Sequence, residues 1–241
     1  MHDVDTNNTP GGAPEPTRSR RSFLAGALGA SALAVPALGL VSAPRAGAAP
    51  PTKNAKKLTG LTAELLQEIM NDEAAHVRVI QNLLDDPDNP LPVPIRKAPN
   101  LDTAELKQPT LDDFLEAAIA FENTGSGLYH GALLNITQTQ EYFPTAAGLA
   151  SVESRHAAWL NSLLGNSLVP DFAPVEAPID QSTTLSRVAP FVTDPRSTFP
   201  SFDTTVVSDD NNFAVLDFVL FLEYIEAAFY AINVPRFAVL K

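Results

Sequence analysis

The chain has 241 residues, a formal net charge of −12 and no cysteine. Without cysteine there are no disulfides, thiolate metal sites or cysteine nucleophiles, so any bound metal must be held by oxygen and nitrogen. The acidic balance argues against nucleic acid as a partner, because phosphate contacts need clustered Lys and Arg.

Residues 1–18 are polar and rich in Pro and Gly, and read as an unstructured leader. Ser19, Arg20 and Arg21 then precede an uncharged run from Ser22 to Pro44, with Phe23 and Leu24 close behind the arginine pair. This is the pattern of a twin-arginine export signal. Ala46-Gly47-Ala48 offers a small-x-small cleavage site, and Ala43 a second one. Left uncut, the run is long enough for a membrane anchor, although its Gly and Ala content makes it weakly apolar. The chain therefore divides into 1–48, an export signal with its leader, and 49–241, the mature domain. The expected partner is the twin-arginine export machinery, and the expected location periplasmic or extracellular. That route carries folded proteins, which suits a chain that loads a cofactor before export. The mature part, about 190 residues, suffices for one domain with a single core.

A first helix is expected over Thr59–Leu84, where Leu65, Ile69, Glu73, His76, Val77, Ile80 and Leu84 fall on one stripe. The proline-rich stretch after Asp85 stops it and favours an extended connection over 85–109. A second helix begins near Thr110, with Asp113 three residues on as a capping partner. Its face carries Leu111, Leu115, Ala118, Ile119, Glu122, Tyr129 and Leu133. A short polar turn leads to a third helix with Leu149, Val152, Glu153, His156, Ala157, Leu160 and Leu164 in line and Gly165 as its stop. Residues 166–210 are rich in Pro, Ser, Thr and Asp and have no sustained periodicity, an unusually long connection. The last helix, about Asp210–Asn233, lines Leu216, Val219, Leu220, Glu223, Ala227 and Tyr230 on its inner face. No strand is convincing, so the class is all-α. The predicted architecture is a four-helix bundle with two long crossover connections, the first and last helices being neighbours.

Two Glu-x-x-His pairs, Glu73/His76 and Glu153/His156, each place a carboxylate and an imidazole on one helical face. In both helices the residues at −4, +4, +7 and +11 from the Glu are apolar. A charged pair centred on such a stripe is costly unless it is paired or metal-bound. Glu122 and Glu223 are single glutamates on the other two helices, each followed seven residues later by a tyrosine, Tyr129 and Tyr230. One Glu from each of two helices and one Glu-x-x-His from each of the others is the set with which a four-helix bundle holds two metal ions. Tyr129 and Tyr230 are placed to hydrogen-bond the ligand carboxylates, or else to pack as ordinary aromatic core. Glu226, one turn from Glu223, is an alternative ligand. Four carboxylates with two imidazoles suit Fe or Mn. His130 is read as a surface or interface residue, Trp159 as core or interface, and Glu64, Glu68 and Asp72 as a solvated face.

The segments NDEAAHVRVI, TLDDFLEAAIAFENTGSGLYHGA, ASVESRHAAWLNSLLG and FAVLDFVLFLEYIEAAFY resemble the ferritin-like superfamily. Within it they resemble the exported proteins related to plant desiccation-related proteins and their fungal and bacterial relatives. The resemblance implies a ferritin-like four-helix bundle with a di-metal centre of two Fe or Mn ions, held by Glu73, His76, Glu122, Glu153, His156 and Glu223. In those proteins the helix similar to Phe213–Tyr230 usually comes first; here it comes last with the cyclic order kept, which implies a circular permutation. The leading expectation is redox chemistry on Fe(II), O2 or peroxide, as a di-metal oxidase or ferroxidase or a manganese-catalase-like enzyme. Rival expectations are a non-catalytic structural stress protein with a vestigial site and a partner-binding module built on 166–210. A monomer or homodimer is expected rather than a many-subunit cage.

Overall fold

The computed structural model describes residues 57–85, 97–137, 142–193, 202 and 206–240. The export-signal reading over 1–48 lies outside them. Among the described residues six α-helices follow in order: α1 Leu61–Leu84, α2 Thr103–Leu106, α3 Leu111–Ala132, α4 Tyr142–Leu163, α5 Gln181–Val188 and α6 Asp209–Phe237. Short 3-10 turns lie at Pro170–Phe172 and Ala189–Phe191. The long helices α1, α3, α4 and α6 form the bundle, α1 packing chiefly on α6 and α3 chiefly on α4.

Local chemistry sets the helix ends. Thr110 Oγ1 accepts from the Asp113 amide at 3.2 Å and so caps α3, satisfying one of the amides that a helix start leaves open. Gly165 ends α4 with φ +76°, where a side chain would be strained. The amides of Gly165 and Asn166 return to the carbonyls of Ser162 (3.0 Å) and Asn161 (2.9 Å), closing the helix in a Schellman-type cap. The last helix runs past the expected Asn233 and takes Pro235 into its final turn.

α6 is apolar on nearly every side, which marks a helix enclosed by its neighbours. Phe213, Leu216, Phe218, Phe221, Leu222, Ile225 and Phe229 are all buried. Phe229 is the centre of an aromatic group, its ring centroid 4.7 Å from Phe121 and 5.6 Å from Phe114. Fully burying one such ring contributes roughly 1.5–3 kcal/mol.

The stretches read as bare connections have structure of their own. α2 and the Ala189–Phe191 turn meet: Asp102 N donates to Phe191 O at 2.9 Å and Thr193 N to Asn100 O at 2.9 Å, around an antiparallel bridge between Leu101 and Val192. Short helices here escape a periodicity search because they span only one or two turns. Buried Asn233 fastens this layer to α6 by donating to the carbonyls of Leu106 (2.9 Å) and Phe229 (2.8 Å) while accepting from Gln108 N (3.0 Å). Further along, Ile179 N donates to Gly127 O at 2.8 Å, so the chain before α5 lies directly on α3. Gly127 and Gly131 make room for it: a Cβ on either would overlap Ile179.

Leu58, just before α1, pairs with the end of α6. Its amide donates to Phe237 O at 2.8 Å and its carbonyl accepts from Val239 N at 2.9 Å. The first and last long helices are therefore antiparallel neighbours.

Candidate metal centre

Each long helix delivers its acidic residue to one place in the core. α1 brings Glu73 and His76, α4 brings Glu153 and His156, α3 brings Glu122, and α6 brings Glu223 and Glu226. The five glutamates have no exposed surface, whereas His76 and His156 keep 5% and 8%. The imidazoles therefore mark the rim of the cluster and the carboxylates its interior.

His76 Nδ1 lies 3.0 Å from Glu153 Oε1, 3.4 Å from Glu223 Oε2 and 3.5 Å from Glu73 Oε2. His156 Nδ1 lies 3.2 Å from Glu73 Oε1 and 3.3 Å from Glu122 Oε2. The two rings stack with centroids 6.2 Å apart and planes 20° apart. None of these close approaches is aligned as a hydrogen bond. Both Nδ1 atoms, both oxygens of Glu73 and Glu153, and one oxygen each of Glu122 and Glu223 are buried without a hydrogen-bond partner. Such atoms are costly when left alone. Converging on shared points without bonding one another is what metal ligands do.

The outer oxygens of the two single glutamates are held crosswise. Tyr129 on α3 donates to Glu223 Oε1 on α6, and Tyr230 on α6 donates to Glu122 Oε1 on α3 at 2.5 Å. Each tyrosine thus serves the other helix's glutamate, not its own. Burial pushes both phenols well above their ordinary range, and the adjacent carboxylates push them further, so both remain donors.

Crowding decides the charge state of the metal-free cluster. Burial and then the charge of Glu122 raise Glu73 to about 7. Burial and then Glu73 push Glu153 well up, and burial and then Glu153 do the same to Glu226. Burial opposes charge on the histidines, but the surrounding carboxylates overcome it. His156, beside Glu122 and Glu73, is pushed up to about 11, and His76, beside Glu153, Glu223 and Glu73, is also raised strongly.

The donors fall into two overlapping groups of four whose ligand atoms lie within 4.8 Å of one another. One is Glu73, Glu122, Glu153 and His156; the other is Glu73, His76, Glu153 and Glu223. Glu73 and Glu153 belong to both. Each group offers three carboxylates and one imidazole, a hard oxygen-rich set suited to a divalent cation of the Mn or Fe kind. The orphaned oxygens and nitrogens fit a metal, and these buried Glu and His side chains could hold one.

Asp72 departs from the solvated-face expectation. Its Oδ2 lies 3.2 Å from His156 Nε2, on the side of the ring away from the carboxylates. A carboxylate on the outer nitrogen would fix which nitrogen faces a bound metal and make it a better donor. The partner ring sits on another helix, so no pattern within α1 reveals this contact. His130 stays outside the cluster: its Nδ1 is 2.8 Å from Ser126 O, and it lines an open groove between α3 and α4 with Ser154 and Arg155. Trp159 packs partly buried against the core.

A helical bundle enclosing a Glu/His cluster able to hold metal is the class that fold and site define. The sequence profile of the ferritin-like domain matches residues 20–166, and the chain belongs to that family. The matched span starts within the segment read as an export signal and ends before α6. No curated protein and no solved structure matches the chain.

Proposed function

We propose that this is an exported ferritin-like protein whose core holds a carboxylate-bridged pair of iron or manganese ions and carries out redox chemistry in a stress response. The observation that carries the reading is the pair of overlapping four-donor groups sharing Glu73 and Glu153. Bound iron or manganese supplies the chemistry: oxidation of Fe(II) by O2 or peroxide, or disproportionation of peroxide. Glu73 and Glu153, shared by both groups, would hold the ions together with Glu122 and His156 on one side and Glu223 and His76 on the other, while Tyr129 and Tyr230 hold the Glu223 and Glu122 carboxylates in place. The four ligand carboxylates balance two divalent charges. The enclosed site favours a small oxidant. Export by the twin-arginine route rests on Arg20 and Arg21 and the uncharged run behind them.

Circular permutation belongs to the same reading. The family match ends before α6, yet α6 supplies Glu223, and the hydrogen bonds of Leu58 with Phe237 and Val239 bring the start of α1 beside the end of α6. Joining helix ends that already lie side by side requires no change in the bundle.

Elemental analysis of the exported protein beside Glu73→Ala and Glu153→Ala tests the metal. About two Fe or Mn per chain, lost in both variants, is the expected result; no metal in the wild type refutes it. A second reading, a non-catalytic structural stress protein, is favoured by one observation: His76 and His156 can act as counter-ions for the carboxylates without metal. It requires a bundle as stable after chelation as before.

A further inference from the structure

The centre has an approximate twofold repeat. Glu73 and His76 on α1 correspond to Glu153 and His156 on α4, and Glu122 and Tyr129 on α3 correspond to Glu223 and Tyr230 on α6. The same register places Gly125 on α3 opposite Glu226 on α6. Here the repeat is broken, with a carboxylate on one side and no side chain on the other.

The structure explains why both could not be glutamate. A Cβ built on Gly125 would overlap Glu153 Oε2 and lie 3.2 Å from Glu226 Oε1. Gly125 thus faces the carboxylates of Glu153 and Glu226 together, and any side chain there would displace one or both. Glu226 has no exposed surface, and neither of its oxygens has a hydrogen-bond partner. Beside it stand the carboxylates of the cluster, of which Glu153 is the nearest in effect. A carboxyl group enclosed in this way, with no donor of its own, costs stability unless a cation accounts for it. Glu226 belongs to neither four-donor group, so it is additional to the six ligands.

We infer that Glu226 is a seventh metal ligand of this centre, its fifth carboxylate, and that Gly125 is the residue that admits it. The inference rests on the proposed metal-binding reading and adds to it a ligand that the repeat does not supply. It gives the two ends of the centre different donor sets.

Anaerobic titration calorimetry with Mn(II) at neutral pH tests it on the mature wild type, E226Q and G125A, with the chelated forms of each melted in parallel. Both variants should bind at least one ion about 10-fold more weakly, a loss typical of disturbed metal surroundings. The metal-free melting temperature of E226Q should not fall, since the amide replaces a group with no partner to lose. That combination separates a ligand from a packing residue, whose loss would lower the metal-free melting temperature and leave affinity alone. Two ions bound by the wild type with unchanged affinity in E226Q would overturn this inference and leave the metal centre standing. No Mn(II) bound by the wild type would overturn both.

Discussion

Raising the pH will loosen the metal-free protein across a range where most proteins are steady. Glu73 releases its proton near 4.5 when unfolded but holds it to about 7 in the bundle, because burial and the charge of Glu122 oppose its ionisation. Between those values the folded state binds more protons than the unfolded one, so stability falls as pH rises. A shift of about two and a half units at 1.36 kcal/mol per unit amounts to about 3 kcal/mol from this residue. Glu153 and Glu226 are shifted in the same direction and add to the loss. The histidines extend it. Their stabilisation is complete below about 6.5, where the unfolded side chain is also charged, and is lost as pH rises towards the folded value, about 11 for His156. Asp180, lowered by its hydrogen bonds with Thr183, acts in the opposite sense but only below its ordinary value of 3.8. Bound metal reverses the trend, because it competes with protons for the same oxygens and binds more tightly as pH rises. Urea unfolding followed by circular dichroism at pH 4.5, 5.5, 6.5 and 7.5, with chelator and again with saturating Mn(II), measures both slopes. A metal-free midpoint that stays level or rises over that range would refute the reasoning.

Removing metal with a chelator at pH 7 will lower the melting temperature, since ligand at 100 times its dissociation constant contributes about 2.7 kcal/mol; an unchanged melting curve would point to the metal-free structural reading. Asp72→Asn will weaken Mn(II) binding at the His156 end about 10-fold while leaving the other ion's affinity within about twofold, read as a split between the two calorimetric steps. Val152 occupies the position equivalent to Asp72 on α4, so His76 has no such support to lose. Tyr230→Phe strips Glu122 Oε1 of its hydrogen bond and will reduce the stability of the metal-loaded form by about 1.5–3 kcal/mol in urea unfolding. Gly131→Ala drives a Cβ into the Ile179 carbonyl, which is backbone and cannot rotate away, and will cost about 1–3 kcal/mol in the same assay without changing metal affinity.

What the sequence discloses of this protein, and what it withholds, follows from the reach of a helical repeat. Glu73 and His76, or Glu153 and His156, share a face because of the spacing within one helix, so the pattern alone brings them to the core side. The same applies to the cap at Thr110 and the stop at Gly165, whose hydrogen bonds span only a few residues. Contacts between helices carry no such signature. Asp72 flanks the α1 stripe and looks solvated until α4 places His156 against it. Tyr129 and Tyr230 stand seven residues after a glutamate on their own helices, yet each bonds the glutamate of the opposite helix, because a tyrosine reaches across the bundle more readily than along two turns of its own axis. The short helices α2 and α5 have too few turns to show a period, and their place is fixed by long-range bonds such as Asp102 to Phe191. Gly125 is the sharpest case. A glycine inside a helix disfavours that helix by about 1 kcal/mol relative to alanine, and α3 contains three within seven residues. Read locally they weaken the element. Read across the bundle they are the gaps into which Glu153 with Glu226, and Ile179, are fitted. The local cost of α3 is the condition for assembling the centre, and the positions where its sequence departs from a good helix are those where another segment must come close.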